Sequence, residues 1–224
     1  MKYISFLVVL FFIFGNIACS SNEGISNKIE VETKAEKIEA KSLSLDDQVI
    51  IQKYKDKINS LDFSDKQLRY KTMRDNLSEI SKIKNDDERE KLQLNIYFAL
   101  EMYKEAYELN SKILKRSFSN ARLVSQCDLT YYAKRSKDEY KECHTKLASA
   151  FKKELKKTPK TEPEYIYVEW GYLLSMYKSG HKEYKQKLKE MFEAVDNDQI
   201  RLQFEGSYVL AVEQVESYKK LSHD

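Results

Sequence analysis

The sequence predicts an all-α protein of stacked antiparallel helical hairpins, and three observations carry that expectation. Turn-forming residues are scarce: five Gly and two Pro in 224 residues are too few to punctuate a sheet protein of this length. Charged residues make up 33% of the chain and alternate with Leu, Ile and Tyr at helical spacing. An aromatic residue, a basic turn and a Tyr-bearing helix recur in segments 97–114, 131–147 and 171–188.

Lys2 supplies a short positive start, and residues 4–14 form an almost unbroken apolar run that Gly15 and Asn16 end. A spanning helix needs about 20 apolar residues, so this run has the length of a secretory signal core, and residues 1–18 read as a signal peptide. The segment 20–44 carries few large apolar residues and mixed Lys and Glu, too little to bury a core. Residues 19–44 therefore read as a flexible tether with a mean reach of roughly 25–30 Å, leaving 45–224 as the helical domain.

Within the domain, Ser44 caps a first helix carrying Val49, Ile50, Tyr54, Ile58 and Leu61. A second helix starts at Ser64 and carries Leu68, Met73, Leu77, Ile80 and Ile83. The run Asn85-Asp86-Asp87-Glu88 then reads as a capped, acidic start to a third, with Leu92, Ile96 and Leu100 on its apolar side. Further along, Tyr107 and Tyr140, and likewise Leu114 and Leu147, are 33 residues apart, whereas Tyr140 and Tyr184 are 44 apart and require an insertion.

Two resemblances follow from these residues. Asn16-Ile17-Ala18-Cys19 resembles the lipobox of bacterial lipoproteins, which implies cleavage before Cys19 and acylation of its thiol and new N-terminus. Asn16 stands where the lipobox favours Leu, so ordinary secretion with Cys19 as a free thiol is the alternative. Ser20 resembles the residue that directs enterobacterial lipoproteins to the outer membrane, which implies an envelope location on the periplasmic face or the cell surface. Residues 92–192 are similar to degenerate tetratricopeptide-type hairpins: Tyr97, Ala106 and Ile113 fall near that repeat's packing positions, and Tyr177-Lys178-Ser179-Gly180 near its inter-helix turn. The Trp-Leu-Gly signature and terminal Pro are missing, and an irregular helical bundle stays open beside the repeat array.

Candidate functional residues are few. Cys127 and Cys143 each lie eight residues from Arg135, so a hairpin turning there brings their side chains level across two antiparallel helices. In an oxidising compartment a bond between them closes a loop of about 15 residues and stabilises by roughly 3 kcal/mol; two free buried cysteines are the alternative. Lys152, Lys153, Lys156, Lys157 and Lys160 form a basic run before and after Pro159, read either as a solvated helix end or as a contact for anionic headgroups or an acidic partner. Tyr165, Tyr167, Trp170, Tyr172 and Tyr177 share one helix, and such side chains either pack between helices or line a partner-binding groove.

Several function classes have no support in the sequence. No HExxH, GxSxG, Walker A or GxGxxG pattern occurs, the three His are scattered without a metal-ligand spacing, and Asp196-Asn197-Asp198 lacks the Gly and Glu of a calcium loop. A formal net charge of +3 suggests no nucleic acid. The expectation is therefore a non-catalytic protein–protein interaction module without cofactor, metal or small-molecule substrate, held to a membrane by the lipid and meeting an envelope protein. The resemblance to tetratricopeptide lipoproteins implies an assembly or adaptor role. An immunity or inhibitor lipoprotein that neutralises an envelope-acting toxin, or a surface lipoprotein binding host molecules, are the competing readings.

Overall fold

The structure, a computed structural model, describes residues 43–62 and 64–220, and of residues 219 and 220 the backbone alone. The expected signal, the lipid site Cys19 and the tether up to residue 42 lie outside the described residues. Leu43 already packs against the first core cluster, so the packed unit starts two residues before 45.

Nine helices are found among the described residues and no strand: α1 Leu45–Asn59, α2 Lys66–Ile80, α3 Asp86–Ala99, α4 Tyr103–Arg116, α5 Asn120–Tyr132, α6 Lys137–Leu155, α7 Tyr165–Lys178, α8 Tyr184–Glu193 and α9 Asp198–Lys220. Each packs on its neighbours in sequence, and α9 packs on both α7 and α8. The all-α architecture expected from composition is the one observed.

The helix starts follow local capping chemistry. Ser44 Oγ accepts the Asp47 N–H at 3.1 Å, and Asn85 Oδ1 accepts the Glu88 N–H at 3.1 Å, so α1 and α3 begin where the sequence indicated. The start of α2 is displaced by one residue. Ser64 N–H and Oγ both donate to Asp62 Oδ1, at 2.9 and 2.7 Å, which spends the serine on a local turn, and Asp65 caps the helix instead by accepting the Leu68 N–H at 2.9 Å. Ser136 and Glu139 form a reciprocal capping box at the start of α6.

Three hairpins are built on one turn. After α3, the N–H groups of Glu101 and Met102 return to the carbonyls of Phe98 and Tyr97, at 3.1 and 2.8 Å. After α5, Lys134 and Arg135 return in the same way to Tyr131 and Thr130, at 3.0 and 2.9 Å, and after α7, Gly180 and His181 return to Tyr177 and Met176, at 3.0 and 3.2 Å. Each is a Schellman closure whose central residue must adopt positive φ: 58° at Glu101, 53° at Lys134 and 115° at Gly180. The turn residues Glu101 and Lys134 are 33 apart, matching the sequence period. The longer step to Gly180 is absorbed mainly by α6, with 19 residues against 14 for α4, and by the connection 156–164.

The core is a chain of clusters passed from helix to helix. Ile51, Tyr54, Met73, Ile80, Ile83, Leu92 and Ile96 join α1 to α3; Leu94, Ala106, Ile113 and Leu129 join α3 to α5. Leu123, Cys127 and Leu147 join α5 to α6, and Trp170, Tyr177, Leu188, Phe192, Phe204 and Ala211 join α7 to α9. Two expected core residues are exposed instead, Val49 at 52% and Leu68 at 45%. The first hairpin has a neighbour on one side, so the buried stripe of α1 narrows to Asp47, Ile51 and Tyr54 and Val49 turns outward. Asp47 is buried because its carboxylate accepts the N–H groups of Lys84 and Asn85, at 2.8 and 3.2 Å, tying the start of α1 to the start of α3.

At α6 and α7 the helices come unusually close. A Cβ added at Gly171 would meet the Phe151 ring at 2.7 Å, so glycine is what lets α7 lie against that ring.

Candidate functional site

The α5–α6 hairpin holds the densest polar chemistry of the described residues. Cys127 is fully buried on α5, Cys143 half-buried on α6, and their sulfurs are bonded with the Cα atoms 5.3 Å apart. The turn centred on Lys134 and Arg135 places them level, and the bond staples the middle of the hairpin.

Beside the bond, His144 faces the interior. It is 2% exposed, sits edge-on to the Tyr140 ring with centroids 4.5 Å apart, and neither ring nitrogen has a hydrogen-bond partner among the described residues. Burial, reinforced by the Lys178 ammonium, holds its pKa well below the usual histidine value, so the ring is neutral at physiological pH. Lys178, itself buried on α7, donates to Asp128 Oδ1 on α5 at 2.8 Å. Removing Asp128 would leave an ammonium uncompensated in the interior, which is the costly case for a buried pair.

The last helix closes this region. Tyr140 Oη donates to Gln214 Oε1 at 3.1 Å, and Tyr218 Oη lies 3.3 and 3.1 Å from the carbonyl oxygens of Thr130 and Arg135, between which it shares its proton. The Tyr218 ring packs against Tyr140 at 4.8 Å and Tyr131 at 5.7 Å. Burial pushes the Tyr140 phenol well above its ordinary value and that of Tyr218 up to about 12, so both stay protonated donors. This network positions helices; among the described residues its histidine has no hydrogen-bonded path to another group.

The aromatic residues of α7 are spent largely on α9. Trp170 stacks on Phe204 with centroids 4.3 Å apart and planes 2° from parallel, and its Nε1–H donates to Ser207 Oγ at 2.9 Å. Tyr167 meets the same Phe204 edge-on at 5.8 Å, and Tyr172 Oη lies 3.4 Å from Tyr184 Oη of α8. Trp170 and Tyr177 are 6% and 3% exposed, so of the two alternatives the sequence left open these two pack between helices, where α9 covers them. Tyr165, Tyr167 and Tyr172 remain half-buried. Phe204 and Tyr218 were missed in the sequence: Asn197 caps α9 by accepting the Ile200 N–H at 3.1 Å, but a cap marks where a helix starts and no repeat spacing marks which helices its aromatic residues meet.

The basic run lies at one end of the stack. Alternating helix directions bring together the starts of α1, α3 and α5 with the ends of α2, α4 and α6. Three contacts fix that arrangement: Asp47 with the Lys84 and Asn85 amides, Arg116 with Asp87 at 3.0 Å, and Asn120 with Glu154 at 2.7 Å. Lys152 and Lys153 end α6, and Lys156, Lys157 and Lys160 follow it; all five are exposed and in no ion pair among the described residues. Phe118, two residues before Asn120, is 65% exposed beside them, and Leu45, where the chain enters α1 at the same end, is 79% exposed. The sequence contained Phe118 but gave no periodic signal for it, since it sits in a connection.

The depressions on the surface are shallow. One runs along α2 past Lys66, Tyr70 and Arg74, and another between α3 and α4 past Gln93, Tyr97 and Glu108. Among the described residues no group of three His, Cys, Asp or Glu side chains is arranged to hold a metal ion, and no helix is long and apolar enough to cross a membrane. Comparison of the chain with protein families, with curated proteins and with solved structures finds no match.

Proposed function

We propose that the chain is an envelope lipoprotein, acylated at Cys19, whose helical domain works as a non-catalytic protein–protein interaction module with an assembly or adaptor role. What supports the reading is the combination of a lipobox-like end to the signal, Asn16-Ile17-Ala18-Cys19, with a stack of helical hairpins repeating one Schellman turn. A stack of this kind offers extended helix faces, and binding by such faces needs no cavity. The tetratricopeptide-like reading belongs to the same proposal: the 33-residue step from Glu101 to Lys134 is its strongest support. The faces open to a partner are those of α1 to α4, since α9 covers α5 and α7.

The test is affinity capture from membranes with the tethered chain and with Cys19→Ala, together with mass analysis of the N-terminal peptide. The proposal expects an acylated Cys19 and an envelope protein enriched with the wild-type chain and lost with the variant. An unmodified Cys19 on a cleaved chain defeats the lipoprotein reading; no enriched protein defeats the adaptor reading.

A further inference from the structure

We propose that the end of the stack formed by Phe118 and the Lys152–Lys160 run is a second membrane contact, made with anionic lipid headgroups, and that it fixes how the domain stands on the bilayer. The inference rests on the anchoring proposed above.

Three features meet at this end. Five lysines within nine positions are exposed and unpaired among the described residues, whereas Arg116 at the end of α4 is held by Asp87 and Glu90. A favourable interaction with the helix dipole accounts for Lys152 and Lys153 in the last turn of α6, but it fades within that turn and leaves Lys156, Lys157 and Lys160 unexplained. Phe118 is an isolated phenyl ring 65% exposed, held next to the run because Asn120 Nδ2 donates to Glu154 Oε2 at 2.7 Å in the middle of it. A bare aromatic ring at the same end as long basic side chains is the pairing that suits a bilayer interface, where the ring enters the boundary region and the ammonium groups stay with the phosphates.

The path of the chain favours lipid over an acidic protein as the occupant. Leu43 and the start of α1 lie at this same end, so a chain anchored at Cys19 is tethered there. The length between Cys19 and Leu43 gives a mean reach of roughly 25–30 Å, which keeps this end within range of the membrane; the basic contact then fixes the opposite end, with the turns at Glu101, Lys134 and Gly180, away from it. Basic side chains near an anionic surface then act at high effective concentration, and the two attachments reinforce each other. The consequence is orientation: the Schellman-turn end faces away from the bilayer, and the open faces of α1 to α4 stand upright on it.

The experiment uses the full acylated chain reconstituted on vesicles, carrying Phe118→Trp, with emission from Trp170 subtracted using the wild-type chain. On vesicles of phosphatidylcholine with phosphatidylglycerol, the introduced indole is expected to shift to shorter wavelength and to be quenched by brominated lipid. The shift is expected to vanish on pure phosphatidylcholine, in 1 M salt, where the screening length falls to about 3 Å, and when the five lysines are replaced by glutamine. No shift on the anionic vesicles overturns the proposal. A shift produced by soluble polyglutamate and not by vesicles overturns it in favour of an acidic protein partner. Flotation on pure phosphatidylcholine reports the Cys19 lipid separately: a chain that floats without an anionic-lipid shift keeps its anchor and loses the second contact, and one that fails to float yet shifts keeps the contact and loses the anchor.

Discussion

The first two hairpins and the last five helices are held together by different means. In α1 to α4 the helices share aliphatic clusters, and their polar links sit at the ends: Asp47 on two backbone amides, and the Glu90 carboxylate gripped by both Arg116 nitrogens at 3.1 and 2.6 Å. That guanidinium holds the Glu90 carboxyl below the usual carboxylate range. In α5 to α9 the middle of the structure carries a disulfide, a buried Lys178–Asp128 pair, stacked aromatic rings and a final helix that reaches back to the α5–α6 turn. The difference teaches that one chain of similar hairpins can be left open at one end and sealed at the other. The open end leaves helix faces that no later helix covers, and the sealed end is cross-linked through a disulfide and a returning helix.

Removing the seal should have the largest effect. Trp170→Ala deletes the ring stacked on Phe204 and the donor to Ser207, and large-to-small changes of buried aromatic residues cost about 3–5 kcal/mol. Urea unfolding should show that loss, and hydrogen exchange should show it first in α7 and α9 while α1 to α3 keep their protection. Equal loss of protection in both regions would break the comparison.

Reduction of Cys127–Cys143, or a double Cys→Ala variant, should lower stability by about 3 kcal/mol from loop closure alone, because the bond spans 16 positions. The effect should again appear in α5, α6 and α9 before α1.

A third measurement uses pH. The folded-state pKa of His144 lies well below 6.5 because the ring is buried, so below about pH 6.5 the unfolded chain binds a proton that the folded chain does not. Stability contributed by the neutral ring is thus full above pH 6.5 and is lost progressively as pH falls. His144→Leu keeps the volume and removes two unpartnered nitrogens, so it should flatten the decline toward pH 5 and raise stability most at the acid end. A decline of unchanged slope would show that other groups carry it.

The smallest effect compares two equivalent turns. Lys134→Gly relieves a left-handed conformation that costs an L-residue roughly 1–2 kcal/mol, partly offset by the greater freedom of glycine in the unfolded chain. It should stabilise by up to about 1 kcal/mol in thermal unfolding. Glu101→Gly should gain less or nothing, because Glu101 also accepts the Tyr70 hydroxyl at 2.6 Å across from α2.

Much of this could be read from the sequence because it is local. The caps at Ser44 and Asn85 and the turn near Arg135 depend on residues within a few positions of one another, and the levelling of Cys127 with Cys143 and the 33-residue step follow from counting regular helix along the chain from such turns. Burial failed where it depended on a distant neighbour. Val49 fits the apolar pattern of α1 and is exposed because α1 is packed from one side; for Trp170 the sequence left core packing and a groove both open, and the stacking of Phe204 from α9 decides for packing.

By itself, the sequence determined that the described chain is helical, that helices begin at Ser44, at Asn85 and within one residue of Ser64, and that hairpins turn near Arg135 and Gly180, since capping, propensity and periodicity act over one or two turns of chain. Tertiary structure alone decided that α9 returns to cover α5 to α7, that His144 and Lys178 are interior, and that Phe118 stands exposed among the lysines at one end. Those outcomes depend on contacts between residues 30 to 90 positions apart, such as Tyr218 with Thr130, and no local pattern encodes which of several amphipathic faces a distant helix will cover.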